Sequence, residues 1–179
     1  MWKITSASGP NMKKSTRHSK ITGEFAEALV LYWLSKYGFE CARVDHTGID
    51  LIARSPDNSE VMGISVKSRS RYAGTEGKSV NLPATDFVKA ARACEAFHCS
   101  PYLAIVVDGS DIIRCFLTRM DHAEKLLGNG KVRYWRMDRR ALDKYRNDPQ
   151  IKGFEIHTHA CSWRDTETEC NPSADRSRE

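Results

Sequence analysis

Residues 48–69 read Gly-Ile-Asp-Leu-Ile-Ala-Arg-Ser-Pro-Asp-Asn-Ser-Glu-Val-Met-Gly-Ile-Ser-Val-Lys-Ser-Arg. Two short β-prone runs, Ile49 to Arg54 and Val61 to Lys67, flank the turn formers Ser55-Pro56-Asp57-Asn58, so the stretch predicts two strands and a tight connection. Residues two apart on a strand project to one face. Ser65 and Lys67 therefore point together, while Met62, Ile64 and Val66 point into packing. Glu60 has the parity of Met62 and Ile64, which sets it apart from Lys67.

Working outward, Glu40 to Val44 reads as a further strand, separated from Ile49 by Asp45-His46-Thr47-Gly48. Before it, Phe25, Ala28, Leu29, Tyr32 and Trp33 recur at spacings of three and four, which predicts a helix from Glu24 to Tyr37. Thr22 is placed to cap its start and Gly38 to end it. Downstream, Arg69 to Leu82 is polar and glycine-bearing and reads as a long loop. A second helix is expected from Thr85 or Asp86, either of which can cap it, with Phe87, Ala90, Ala91, Cys94 and Phe97 on one stripe. Tyr102 to Val107 and Ile112 to Leu117 then form a hairpin about Asp108-Gly109-Ser110-Asp111, and Met120 to Leu127 a short helix. Lys131 to Phe154 mixes aromatic and charged residues without a clean period and yields no assignment.

The chain has 179 residues, 40% hydrophobic and 28% charged, which suits one domain with a sizeable core. We expect a basic N-terminal arm over residues 1–20, a single domain over 21–161 and a polar tail over 162–179. The formal charge of +5 resides in the arm: Lys3, Lys13, Lys14, Arg17 and Lys20 stand there without an acid, and the rest of the chain is formally neutral. Such an arm suits sequence-independent contact with nucleic-acid phosphates, and equally a solvated tail. The longest apolar runs are far shorter than the roughly 20 residues of a membrane span. No apolar run follows the N-terminal basic residues as a secretory signal requires, so a cytoplasmic setting is expected. The six cysteines lack the density of a disulfide scaffold and are expected to be reduced.

Three motifs fall in an order that carries a family resemblance. Gly23-Glu24 at the first helix, Gly48-Ile49-Asp50-Leu51-Ile52-Ala53 on one strand and Ile64-Ser65-Val66-Lys67-Ser68-Arg69 on the next resemble the PD-(D/E)xK nuclease superfamily. The likeness is greatest to its Holliday-junction-resolvase-like and restriction-endonuclease-like branch. It implies an α/β fold: a restriction-endonuclease-like αβββαβ core with a central mixed sheet flanked by helices. It further implies a nuclease that hydrolyses DNA phosphodiesters with Mg²⁺ or Mn²⁺. Asp50 and Glu24 would hold the ion and Lys67 would position the attacking water, because carboxylates suit a hard cation that offsets charge on the phosphate. Ser65 stands where the family has a carboxylate, so that ligand must come from elsewhere; Glu24 is the first candidate and Glu76 the second.

Arg69, Arg71 and Lys78, interrupted by Tyr72, form a basic run that suits a phosphate-tracking groove, with Lys13, Lys14 and Arg17 adding contacts from the arm. DNA is the expected partner and RNA the alternative; no membrane is expected, and the resemblance leaves room for a homodimer. The competing expectation is an inactive nuclease-fold module that binds nucleic acid or a protein. His157, His159 and Cys161 alternate as zinc ligands could, but their spacing matches no common zinc module, and a strand end running into a tail is the simpler reading.

Overall fold

The computed structural model describes residues 17–72, 74–109 and 111–158. In chain order the elements are α1 (His18–Lys36), β1 (Glu40–His46), β2 (Ile49–Arg54), β3 (Val61–Ser70), β4 (Val80–Pro83), α2 (Ala84–Ala96) and β5 (Ser100–Asp108). They continue with β6 (Ile112–Arg119), α3 (Met120–Leu127), β7 (Val132–Trp135), α4 (Arg139–Arg146) and β8 (Ile151–His157). Six strands make one sheet in the order β1-β2-β3-β5-β6-β8, and β4 with β7 forms a separate ribbon. Only β3 and β5 run parallel in the large sheet, so it is mixed. A parallel pair needs a crossover, which β4 and α2 supply. The expected αβββαβ order with helices on a central mixed sheet is present.

Each face of the sheet has its own core. Ala26, Val30 and Leu34 of α1 pack on Leu51, Ala53, Met62, Ile64, Ala104 and Val106. Phe87, Ala90 and Cys94 of α2 pack on Leu103, Ile105 and Val107, and that core extends to Phe116, Trp135 and Tyr145. The run Tyr102 to Val107 is apolar throughout because β5, at the sheet's centre, is covered on both sides.

Several boundaries differ from expectation for physical reasons. α1 begins at His18, inside the expected arm, so Thr22 is an interior residue whose hydroxyl donates back to the His18 carbonyl at 2.8 Å rather than capping the start. Gly38 does end the helix, with φ at 83°. α2 starts at Ala84 after Pro83, with no side-chain cap, which places Thr85 and Asp86 in its first turn and frees both side chains. β3 runs on to Ser70, and β4 occupies the end of the expected 69–82 loop. Gly48 lies against α2: a Cβ there would stand 2.5 Å from the Lys89 carbonyl oxygen, and its φ is 118°. Glycine thus lets the turn before Asp50 dock on the helix backbone.

Candidate active site

Asp50 is the second residue of β2, at the end of the sheet where β2 and β3 part. The ladder between them runs from Arg54–Val61 to Leu51–Ile64. Beyond it the Asp50 carboxylate replaces the partner backbone: Oδ2 accepts the Val66 amide N–H at 2.6 Å. A charge-assisted bond of this length locks the carboxylate to the strand that bears Lys67. Burial raises the Asp50 carboxyl above its ordinary value, the Val66 amide and the Lys67 ammonium pull it back, and the Asp86 charge raises it again.

Ser65 and Lys67 pair in register with Leu103 and Ile105, whose side chains belong to the α2-side core, so both face α2. The alternation expected along β3 is present, with Met62, Ile64 and Val66 on the α1 side. Both faces are packed, however, and Ser65 is 2% exposed. It sits beneath α2 rather than on an open surface, where an unpaired carboxylate would be costly. Lys67 Nζ meets Asp86 Oδ2 at 3.1 Å, with both side chains about a quarter exposed. Asp86 is expected from the sequence as a helix cap. Having no backbone to cap, it supplies α2's carboxylate to the cluster, on the side where Ser65 leaves none.

On α1, Glu24 and Glu27 occupy different environments. Glu24 pairs with Lys20 at 3.7 Å and its side chain is 56% exposed. Glu27, one turn on, is partly buried; burial and then the Asp50 charge raise its carboxyl, Arg43 opposes them, and Glu24 adds to them. Glu27 is therefore an α1 acid that feels the Asp50 charge. The sequence pattern does not single it out, because Glu27 lies between the apolar positions Phe25 and Ala28 of the expected helix and its nearness to Asp50 arises from how α1 packs on the sheet.

Beside Lys67, an open cavity of about 370 Å³ lies between the start of α1 and the end of β3, lined by His18, Ser19, Thr22, Val66, Lys67, Ser68, Arg69 and Ser70. Arg69 is exposed at its rim, with Nη1 on the Ser68 carbonyl at 2.7 Å. Arg71 is turned inward: Nη2 donates to the Lys78 and Ser79 carbonyls at 3.2 and 2.8 Å, and burial, then Arg69, depress its guanidinium. It staples the 71–79 loop rather than presenting its charge. Tyr72 and Lys78 are exposed on that loop, and Glu76 lies against the Gly109 turn. Glu60 is held at the opposite end of β3 by the Tyr102 hydroxyl and Arg119, both at 2.9 Å. His46 packs edge-on to Phe97, ring centroids 5.2 Å apart. Arg17 adjoins α1 and is exposed. Lys13, Lys14, His159 and Cys161 lie outside the described residues.

Among the described residues, no three His, Cys, Asp or Glu side chains stand close enough to hold a metal ion as they are. The donor set nonetheless fits Mg²⁺ or Mn²⁺, which take oxygen ligands. Mg²⁺ is held in such sites by one or two carboxylates completed by water and substrate phosphate. Burial first, and neighbouring carboxylates after it, raise the Asp50 and Glu27 carboxyls even with Lys67 and Arg43 nearby.

No family model matches the sequence, and no curated protein matches it. Among solved structures, a Holliday junction resolvase, Hjc, of Archaeoglobus fulgidus superposes with a TM-score of 0.50 at 18% identity, covering 75% of this chain and 91% of the resolvase. A restriction endonuclease in complex with substrate DNA matches at a TM-score of 0.39 and 15% identity, covering 80% of this chain and 73% of its own. At these identities the likeness concerns architecture. With its mixed six-stranded sheet between helices, the chain has a restriction-endonuclease-like fold, the architecture it shares with the resolvase.

Proposed function

We propose that the chain is a divalent-metal-dependent endonuclease acting on DNA. The observation that carries this reading is the Asp50 carboxylate, fixed on the Val66 amide within reach of the Lys67–Asp86 pair at one end of the sheet. Asp50, with Glu27 in place of Glu24, would hold Mg²⁺ or Mn²⁺, and Asp86 would contribute the carboxylate that Ser65 does not. The ion would offset charge on the phosphate oxygens and acidify water. Lys67, aimed by Asp86, would orient the attacking water. Arg69 and the hydroxyls of Ser19, Thr22, Ser68 and Ser70 would take the flanking phosphates, and Lys13, Lys14, Arg17, Tyr72 and Lys78 would extend that track. Arg71 would serve by shaping its loop.

A second reading, an inactive module that binds nucleic acid or a protein, is favoured by the buried Ser65 and by the absence of three gathered ligands among the described residues. Cleavage of duplex and branched DNA, with RNA in parallel, in Mg²⁺, Mn²⁺ and EDTA separates the two. The enzyme should cut with metal and not in EDTA. Lys67→Ala should lower the rate about 100- to 1000-fold, the usual loss for one electrostatic group, with metal binding little changed. Cleavage that persists in EDTA or in Asp50→Ala protein would reject the site. Binding without cleavage by wild type would establish the second reading.

A further inference from the structure

At the end of α2 remote from Asp86, the chain brings two cysteines together over a glycine. A Cβ built on Gly63 of β3 would stand 2.6 Å from the Cys94 Sγ and 2.6 Å from the Cys99 Sγ, so the two sulfurs lie within twice that distance of each other. Any side chain at residue 63 would push them apart. The backbone closes in the same way. The Cys99 N–H donates to the Cys94 carbonyl at 2.9 Å, and His98 between them takes a φ of 51°, which turns the chain back on the helix. Cys94 is buried and its Sγ donates to the Gly63 carbonyl at 3.6 Å, while Cys99 is only partly buried. An open cavity of about 700 Å³, lined among others by Cys94, Cys99, Glu95 and His98, leads to the pair from solvent.

We infer that Cys94 and Cys99 form a redox-active dithiol that takes a low-molecular-weight disulfide as oxidant and closes to an intramolecular disulfide. Cys99, the accessible thiol, loses its proton to solvent and attacks one sulfur of the oxidant; the oxidant's S–S bond breaks and one small thiol leaves. Cys94 then loses its proton to solvent and attacks the Cys99 sulfur of the mixed disulfide, expelling the second small thiol. The protein loses two electrons and two protons; the oxidant becomes two thiols. Burial first, then the neighbouring Cys99, pushes the Cys94 thiol up to about 12, so the more accessible Cys99 meets the oxidant first and Cys94 follows because the mixed disulfide is held beside it. The site is independent of the phosphodiester chemistry, since Asp86 and the dithiol stand at opposite ends of α2.

The test equilibrates the full chain with oxidised glutathione over a range of reduced-to-oxidised ratios, followed by acid quench, alkylation and trypsin digestion. Cleavage after Arg92 and Arg114 releases residues 93–114, which contain Cys94 and Cys99 and no other cysteine. The peptide should pass from doubly alkylated to unalkylated and lighter by two hydrogens, and return on reduction. Cys94→Ala protein should stop at the mixed disulfide and keep glutathione on Cys99. Three wild-type results would overturn the proposal: a 93–114 peptide doubly alkylated at every ratio, glutathione on Cys99 as the end state, or Cys99 bonded to a cysteine of another peptide.

Discussion

Asp50 carries opposed demands. Its carboxylate is tied to the Val66 amide at 2.6 Å, yet burial raises its carboxyl from the ordinary 3.8. Between that value and the raised one, the folded chain keeps a proton that the unfolded chain releases. Stability therefore falls as pH rises through the window, and above it the penalty is complete. Asp50→Asn keeps an acceptor for the Val66 amide and removes the charge, so in EDTA at neutral pH it should raise Tm slightly, on the order of 2 °C. The same change should abolish metal-dependent cleavage. In wild type, added Mg²⁺ should raise Tm more at pH 8 than at pH 4, because the ion competes with the proton for the carboxylates. Calorimetry at the two pH values checks this; an Mg²⁺ effect independent of pH would remove Asp50 and Glu27 from the ligand set. The shared face of Ser65 and Lys67 is legible in the sequence because strand parity is strict, while Asp50 stands out only through the motif resemblance. Asp86 and Glu27 do not stand out, since their nearness to Lys67 and Asp50 is set by how α2 and α1 pack on the sheet, which local sequence does not display.

The elements are legible in proportion to their length and period. α2 shows its stripe through Phe87, Ala90 and Cys94, all buried, and β5 its apolar run. Lys131 to Phe154 resists because its elements are short: β7 has 4 residues and α4 has 8, too few for a period to emerge. What organises that segment is a tertiary aromatic cluster, in which Trp135 stacks on Tyr145 at 4.3 Å and Phe116 meets both. Local sequence does not display such contacts. One local signal is present: Asp138 caps α4, its Oδ1 accepting the Ala141 N–H at 3.2 Å. Asp138 is also held by Arg136 at 2.9 Å, an exposed pair of small value. Asp138→Ala should cost about 1 kcal/mol through removal of the cap. Urea unfolding reads this as a lower midpoint at constant slope; Arg136→Ala, which spares the cap, should change the midpoint much less. Equal losses in the two variants would assign the effect to the ion pair.

For the molecule as a whole, topology and charge are separable. The mixed sheet binds its two helical layers through apolar cores on both faces, and no helix of the described residues is long and apolar enough to cross a membrane. The charge asymmetry lies at one end of the sequence, where Lys3, Lys13 and Lys14 precede the described fold. Because α1 starts at His18, a deletion meant to test the N-terminal lysines must stop at residue 16. Removing residues 1–16 takes away three positive charges and no acid. If all three lysines neutralise phosphates, the slope of log affinity against log salt on duplex DNA should become shallower by about 0.9 for each lysine removed. Affinity at low salt should fall accordingly, with little change in the unfolding midpoint, since both described cores are left intact. Titrating a fluorescent duplex at several salt concentrations with both proteins measures the slopes directly. Equal slopes would confine DNA binding to the folded domain, leaving Lys67, Arg69 and the cavity between α1 and β3 to account for the whole of it.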